Sequence, residues 1–157
     1  MDIYDNFLSE KDFDFVYNYC VQHASYSMCE IDTENNLPTG LVCPKPDLQI
    51  RKIFSAKKVC EKSISRLYIN CFSPGENPTF HIDSEDKTDV TGIFYIGHYD
   101  NEEWHPNHGG CTEFFDGERV YGVPPIKNRY LVFPSNLYHR ATSFKNKHRF
   151  TIAVKYT

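Results

Sequence analysis

The sequence lacks a long run of basic residues. Its 157 residues carry a formal net charge of -4, and the isoelectric point is about 5.9. An electrostatic grip on a phosphate backbone needs clustered Lys and Arg, which this chain does not have. We therefore expect no nucleic-acid partner.

The sequence also lacks any apolar run that approaches membrane-spanning length. The first residues, Met1 to Asp5, do not form a basic region followed by an apolar core, as a secretion signal would. These two absences predict a cytoplasmic protein without a membrane partner.

Paired cysteine motifs are absent as well. The 6 Cys are scattered along the chain, and none forms a C-x-x-C pair. A structural zinc site and a redox motif both lose support, and reduced, mostly buried thiols are expected.

What the chain does have is aromatic and β-branched residues. Hydrophobic residues make up 40% of the sequence and aromatic residues 15%, which favours a β-rich fold. The length suits one domain over residues 1–157. Within it, we expect helical support and a loop over residues 1–65 and a β core over residues 66–157.

Two helices are predicted in the first part. Apolar spacing indicates a helix from Phe7 to Ala24, with Ser9 and Asp12 as its cap, and a second from Leu48 to Ser65. Residues 25–47 are broken up by Asn, Pro and Gly, so they are either a lid over a site or an irregular connector.

The second part alternates short β-rich runs with turn clusters. This pattern is typical of an antiparallel sandwich or barrel, in this case with the helices packed outside. The predicted strands are Leu67–Phe72, Val90–Ile96, Thr112–Phe115, Arg119–Val123, Tyr130–Phe133, Tyr138–Phe144 and Arg149–Tyr156.

The stretch around His81 and Asp83 is the strongest candidate for chemistry. Residues two apart on a strand face the same side, so these two side chains would present a nitrogen and an oxygen to one point. With His139 downstream, they would complete a 2-His-1-carboxylate triad, which leaves three positions of an octahedral iron(II) open.

A second H-x-D pair competes with the first. His98 and Asp100 have the same spacing, but they run into a polar, turn-rich stretch at residues 101–110. His81 instead follows a predicted strand and a turn at residues 73–78. This context favours His81 and Asp83 as the metal pair.

The last predicted strand carries a candidate anion site. Its alternation places Arg149, Thr151, Ala153 and Lys155 on one face. An Arg among small residues on the inner face of a barrel could hold a carboxylate through two parallel hydrogen bonds.

Taken together, these segments resemble the iron(II)- and 2-oxoglutarate-dependent dioxygenases, and in particular their compact prolyl 4-hydroxylase-like branch. The resemblance runs from Arg66 to the end of the chain. The segments that carry it, in the family's order, are residues 72–75, 81–83, 90–96, 109–117, 128–133, His139 and 149–154.

The resemblance implies a fold and a set of site residues. The fold is a double-stranded β-helix, or jelly roll, with the N-terminal helices outside it. The implied iron ligands are His81, Asp83 and His139. Arg149 and Tyr95 would bind the distal carboxylate of 2-oxoglutarate, and Thr151, on the Arg149 face, could assist.

The resemblance also implies a reaction. Dioxygen and 2-oxoglutarate would be co-substrates, succinate and carbon dioxide co-products, and ascorbate a reductant that keeps the iron active. The enzyme would hydroxylate a C–H bond of its substrate, and the branch that the chain resembles favours a prolyl residue in a peptide or protein. Related halogenases have a small residue at the place of Asp83, so hydroxylation is expected.

Two other functions remain open at this stage. The same chemistry could act on a free amino acid, another small molecule or an alkylated base, although nucleic-acid demethylases of the superfamily usually carry a second Arg where this chain has Lys155. A non-catalytic jelly roll could instead bind 2-oxoglutarate or a partner. A double-histidine cupin is disfavoured because the chain contains no H-x-H.

Overall fold

A computed structural model describes residues 1–32, 36–97 and 103–157. The competing pair His98 and Asp100 lies outside the described residues. Nine strands and two α-helices occur in the described part of the chain, which confirms the predicted mainly β fold. None of the helices described there is long and apolar enough to cross a membrane.

Both α-helices lie in the first part of the chain, and most of the strands follow them. The helices are α1 (Glu10–Asn18) and α2 (Leu48–Ser55), with a π-helical turn at Tyr19–His23 and a 3-10 turn at Pro106–His108. The strands are β1 (Asp2–Tyr4), β2 (Leu41–Cys43), β3 (Ile64–Phe72), β4 (Val90–Tyr95), β5 (Thr112–Phe115), β6 (Val120–Val123), β7 (Arg129–Pro134), β8 (His139–Ala141) and β9 (Arg149–Tyr156).

The first helix begins where its predicted cap lies. The Ser9 hydroxyl oxygen accepts a hydrogen bond from the Asp12 backbone N–H at 3.2 Å, which satisfies one of the free donors of the first turn. The regular α-helix ends at Asn18 and continues as the π-helical turn, so the predicted span of 7–24 was slightly too long.

The second helix is much shorter than predicted. It starts at Leu48, capped by Asp47, but ends at Ser55 instead of Ser65. Lys58 adopts a left-handed conformation with φ 47°, which a continuing right-handed helix does not allow. Val59 and Cys60 nevertheless pack against the core, and this explains why the apolar spacing looked helical.

Two antiparallel sheets form the jelly roll. The larger has the strand order β1-β7-β4-β9-β3-β2 and the smaller β6-β5-β8. The edge strands β1 and β2 were not predicted, since each is three residues long and lies in a segment without clear alternation.

Strand alternation divides the core into two layers. Phe94 of β4 faces the helices, where it packs edge-on against Phe54 of α2 with ring centroids 5.4 Å apart. Its neighbours Ile93 and Tyr95 face the other way, into the space between the two sheets, with Phe114 and Phe133. The barrel interior, where the candidate residues lie, is therefore walled by both sheets.

In the middle of β4, the Tyr130 side chain lies so close to the backbone that only glycine fits at position 92. A Cβ at this position would lie 1.9 Å from the Tyr130 hydroxyl oxygen. That hydroxyl forms a buried 2.9 Å hydrogen bond with the Tyr156 hydroxyl. Any larger residue must displace this pair.

We expect Gly92→Ala to lower the free energy of unfolding by about 2–3 kcal/mol, because overpacking forces the Tyr130 ring out of place. Urea unfolding monitored by circular dichroism measures the change. Gly122→Ala in β6 is the matched control, because its Cβ would meet nothing closer than the Cys111 Cβ at 3.2 Å. Equal stabilities of the two variants would contradict the packing argument.

Candidate metal centre and carboxylate pocket

Backbone pairing brings the two candidate histidines together. The N–H of His81 donates to the carbonyl of His139 at 2.9 Å, and the N–H of His139 donates back to His81 at the same distance. The Asp83 N–H donates to the Ser135 carbonyl at 2.8 Å. A segment without strand structure of its own is thus fixed against β8.

The side chains of His81, Asp83 and His139 converge as a result. Their ligand atoms all lie within 4.8 Å of one another. His81 Nε2 is 3.6 Å from Asp83 Oδ1, and His139 Nε2 is 3.4 Å from Asp83 Oδ2. One ion can bridge such a group, since metal–ligand bonds to His and Asp are typically about 2.0–2.2 Å.

The other ring nitrogen of each histidine is tied to the backbone. His81 Nδ1 lies 3.1 Å from the Thr79 carbonyl oxygen, and His139 Nδ1 lies 2.8 Å from the Leu137 carbonyl oxygen. A carbonyl can only accept, so Nδ1 carries the proton and Nε2 keeps its lone pair toward Asp83. Metal-binding histidines are usually oriented in this way.

The three residues differ in how their surroundings shift their pKa values, and the shifts of His139 and Asp83 favour the forms that bind a cation. Burial lowers the pKa of His139 to about 4. Burial also opposes charging of His81, but contacts with Asp83 and the Thr79 carbonyl raise its pKa above the usual value. Burial works against the Asp83 carboxylate, yet His81 and Lys155 hold its pKa well below the ordinary range.

Arg149 lies inside the barrel without an acidic partner among the described residues. Its side chain is buried, with the whole residue 2% exposed. Nε donates to the Gly110 carbonyl at 2.8 Å, and Nη2 donates to the Thr112 hydroxyl at 3.1 Å. These partners are neutral, although a buried charge normally requires an opposite one.

The two predicted helpers of Arg149 occupy different positions. Thr151 is buried and lines the cavity beside Arg149. Tyr95 is fully buried, and its hydroxyl donates to the Thr112 hydroxyl oxygen at 2.7 Å. Burial raises the pKa of Tyr95 to about 12, so the phenol stays protonated and acts as a donor.

The sequence did not predict the interactions that Thr112 and Lys155 make in the site. Thr112 joins Tyr95 and Arg149 through one oxygen, and Lys155 pairs with Asp83 inside the barrel. The alternation of β9 could have indicated the position of Lys155, because it places this residue on the same inward face as Arg149. Nothing local marked Thr112, because its two partners come from other strands.

One cavity of about 710 Å³ contains both the candidate metal ligands and the candidate carboxylate site. Arg149 and Thr112 lie on its wall, as do the three candidate ligands. Part of the segment 25–47 also contributes, through Glu30, Ile31, Asp32 and Thr39. Asp32 fixes this segment by accepting hydrogen bonds from the Thr79 N–H at 3.0 Å and the Thr79 hydroxyl at 2.9 Å.

Several solved structures share this fold. A prolyl hydroxylase from Trichoplax adhaerens, in complex with a peptide fragment of the hypoxia inducible factor oxygen degradation domain, is similar with a TM-score of 0.74 and 18% identity over 99% of this chain and 82% of that one. A Pseudomonas putida prolyl-4-hydroxylase gives a TM-score of 0.70 and 15% identity over 99% and 91% of the two chains.

A viral collagen prolyl hydroxylase from Paramecium Bursaria Chlorella virus-1, solved as a 2OG complex, is also similar. Its TM-score is 0.61 and its identity 14%, over 99% of this chain and 93% of that one. Identities this low establish the shared fold. No curated protein matches the sequence significantly.

The sequence pattern of the 2OG-Fe(II) oxygenase superfamily matches residues 67–156, more than half of the chain and nearly the whole span from β3 to β9. The match includes all six residues that the sequence singles out as candidates. A metal-sized His-Asp-His group and a buried Arg with neutral partners lie on one cavity within that span. This chain therefore belongs to the 2OG-Fe(II) oxygenase superfamily and is a 2-oxoglutarate-dependent dioxygenase.

Proposed function

We propose that the protein hydroxylates a prolyl residue of a peptide or protein, using iron(II) held by His81, Asp83 and His139. The chain would work as one catalytic domain over residues 1–157. The observation that carries the proposal is that one cavity contains both a candidate anion site and a candidate metal site. Arg149 lacks an anion among the described residues, and a compact His-Asp-His group presents its lone pairs to a common point.

The donor set fits iron(II). Two imidazole nitrogens and one carboxylate on one side of an ion form the facial triad of non-haem iron(II) oxygenases, which leaves positions for a chelating co-substrate and dioxygen. Nδ1 contacts with carbonyls keep both rings in the required tautomer. Asp83 is ionised, so it offers charge as well as an oxygen.

Arg149 fits the distal carboxylate of 2-oxoglutarate. A guanidinium binds a carboxylate through parallel charge-assisted hydrogen bonds, which are stronger when water is excluded. Gly110 and Thr112 occupy Nε and Nη2, and so fix the plane of the guanidinium before the co-substrate arrives. Thr151 would contribute to the same end of the cavity.

Tyr95 would act on this carboxylate through Thr112. The Thr112 hydroxyl oxygen has two lone pairs, and the bonds from Tyr95 and Arg149 use both. Its own proton is then free to be donated, and Thr112 lies on the cavity wall. Thr112 would thus supply a hydrogen bond to the carboxylate, oriented by Tyr95.

Bound iron(II) and 2-oxoglutarate supply the activation of dioxygen and the oxidative decarboxylation that yields succinate and carbon dioxide. The protein's own contribution is placement. It would hold the carboxylate at Arg149, turn the Nε2 atoms of His81 and His139 toward the ion, and surround the site with two sheets. Ascorbate would serve as the reductant that restores the iron between cycles.

An aromatic group at the cavity supports a prolyl substrate. Phe80 and Tyr138, each next to a candidate ligand in sequence, stack with ring centroids 5.5 Å apart. Phe115 joins them at 6.0 Å from Phe80, and Tyr138 is 39% exposed. Partly exposed aromatic rings are the surfaces on which proline residues dock in peptide recognition.

Turnover of the co-substrate tests the site assignment. We expect purified protein with iron(II) and ascorbate to convert 2-oxoglutarate to succinate, and His139→Ala and Arg149→Gln to abolish this. Binding of 2-oxoglutarate to the Arg149→Gln protein should weaken about a hundredfold, because a charge-assisted pair is lost. Succinate is measured by chromatography and binding by calorimetry with Mn(II).

Arg119→Gln is the control for this experiment, since its side chain is 80% exposed and lies on the surface. Full activity in the His139→Ala or Arg149→Gln protein would refute the site assignment. Tight binding of 2-oxoglutarate without any turnover, even with prolyl peptides, would favour the non-catalytic alternative.

The role of Thr112 can be tested by removing its hydroxyl group alone. Thr112→Val keeps the shape but removes the hydroxyl, so we expect 2-oxoglutarate to bind about tenfold more weakly. Thr112→Ser restores the hydroxyl and should bind within a few-fold of wild type. Calorimetry with the Mn(II)-loaded proteins gives both values, and unchanged binding by Thr112→Val would show that Tyr95 does not act through this residue.

The substrate class needs its own test. We expect proline-containing peptides to increase succinate formation and to gain the mass of one oxygen atom, whereas free proline does neither. Tyr138→Ala should raise the peptide KM and leave 2-oxoglutarate binding unchanged. Oxygen transfer to a free amino acid with peptides left unmodified would select the small-molecule alternative.

A further inference from the structure

Lys155 is a partly buried cation beside one of the candidate ligands. It lies on the inward face of β9, and its side chain is 17% exposed. Its Nζ pairs with Asp83 Oδ2 and lies 3.4 Å from the Thr91 hydroxyl. The reaction as proposed above assigns this lysine no role.

Strand register holds the contact in place. On β4, Thr91 lies directly opposite Lys155, and on the other side Arg66 of β3 does. Thr91 is fully buried and donates to Asp83 Oδ2 at 2.7 Å. Two neighbouring strands therefore deliver two donors to the same oxygen of one carboxylate.

These donors distinguish the two oxygens of Asp83. Oδ2 is engaged by Lys155 and Thr91 and also lies 3.4 Å from His139 Nε2. Oδ1 faces His81 Nε2 at 3.6 Å without another donor among the described residues. Oδ1 is therefore the oxygen that is free to bind an ion. With Oδ2 held back, Asp83 binds through one oxygen and occupies one coordination position.

The charge of Lys155 is not cancelled by other neighbours. Arg66 and Glu30, the other charged groups near it, form an ion pair with each other. Asp83 and Lys155 thus make a neutral pair, and a divalent ion added to this group keeps both of its charges. Without the lysine, the ion and Asp83 together would carry a net charge of one.

We propose that Lys155 is a positioning residue that restricts Asp83 to one-oxygen binding and sets the charge of the centre in favour of the 2-oxoglutarate dianion. This inference rests on the proposed metal and co-substrate sites. Lys155 repels the ion and attracts the near carboxylate of the co-substrate. Its removal must therefore change the two affinities in opposite directions.

The test uses Mn(II) as a redox-inactive probe of the ion. Paramagnetic resonance titration gives the Kd for Mn(II), and calorimetry on the Mn(II)-saturated protein gives the Kd for 2-oxoglutarate. For Lys155→Met we expect Mn(II) to bind about fivefold to tenfold more tightly and 2-oxoglutarate about tenfold more weakly, from the loss of one nearby charge. Lys155→Arg, which keeps the charge, should restore both values to within about threefold.

Lys87→Met makes the same chemical change at an exposed position and should alter neither affinity. Weaker binding of both ligands by Lys155→Met would mean that the lysine only supports the fold, and unchanged binding of both would make it a bystander. Either result overturns the inference while the proposed function stands, because wild type would still bind both ligands. If wild type binds neither, the two proposals fail together.

Discussion

Two cations on one face of β9 must each find an anion inside a barrel that excludes most water. Arg149 and Lys155 stand at opposite ends of that face, and burial lowers the pKa of both. A charge in such a place is costly unless it is paired. The protein satisfies Lys155 with Asp83 but leaves Arg149 with the neutral partners Gly110 and Thr112. The charge is therefore paired at the Lys155 end of this face, whereas the Arg149 end would accept a carboxylate under the proposed function.

The backbone bridge between His81 and His139 connects this charge pattern to the candidate metal centre. It holds a segment that lacks regular structure against β8, and it turns both Nε2 atoms toward Asp83. Asp83 then belongs to two systems, the ligand cluster and the ion pair with Lys155. A change at β9 is therefore felt at the metal centre, although β9 itself contributes no metal ligand in this arrangement.

The sequence predicted those parts of the site that depend on local periodicity. Alternation alone places His81 with Asp83, and Arg149 with Thr151 and Lys155, because side chains two apart share a face. His139 was proposed as the third ligand that a 2-His-1-carboxylate triad requires, and the resemblance to a known family supported it and added Tyr95. No local pattern connects either residue to the rest. The many short strands predicted an antiparallel sandwich or barrel, and the resemblance implied the jelly roll.

The missed contacts depend on which strands become neighbours. Thr112 meets Tyr95 and Arg149 because the three-stranded sheet closes over the six-stranded one, and no spacing along the chain encodes that closure. The end of α2 was misjudged for a related reason. Val59 and Cys60 reach the core from an irregular turn, so their burial imitated a helical pattern.

A guanidinium with only neutral partners inside the barrel also has a consequence for stability. Its desolvation makes the ligand-free fold less stable than a fully paired interior would be, and a bound carboxylate removes that penalty. On the proposed assignment of Arg149, co-substrate binding would be coupled to the stability of β9 and of the strands β3 and β4 on either side of it. Asp32 lines the same cavity and is bonded to Thr79, two residues before His81, so it lies close enough to share in this coupling.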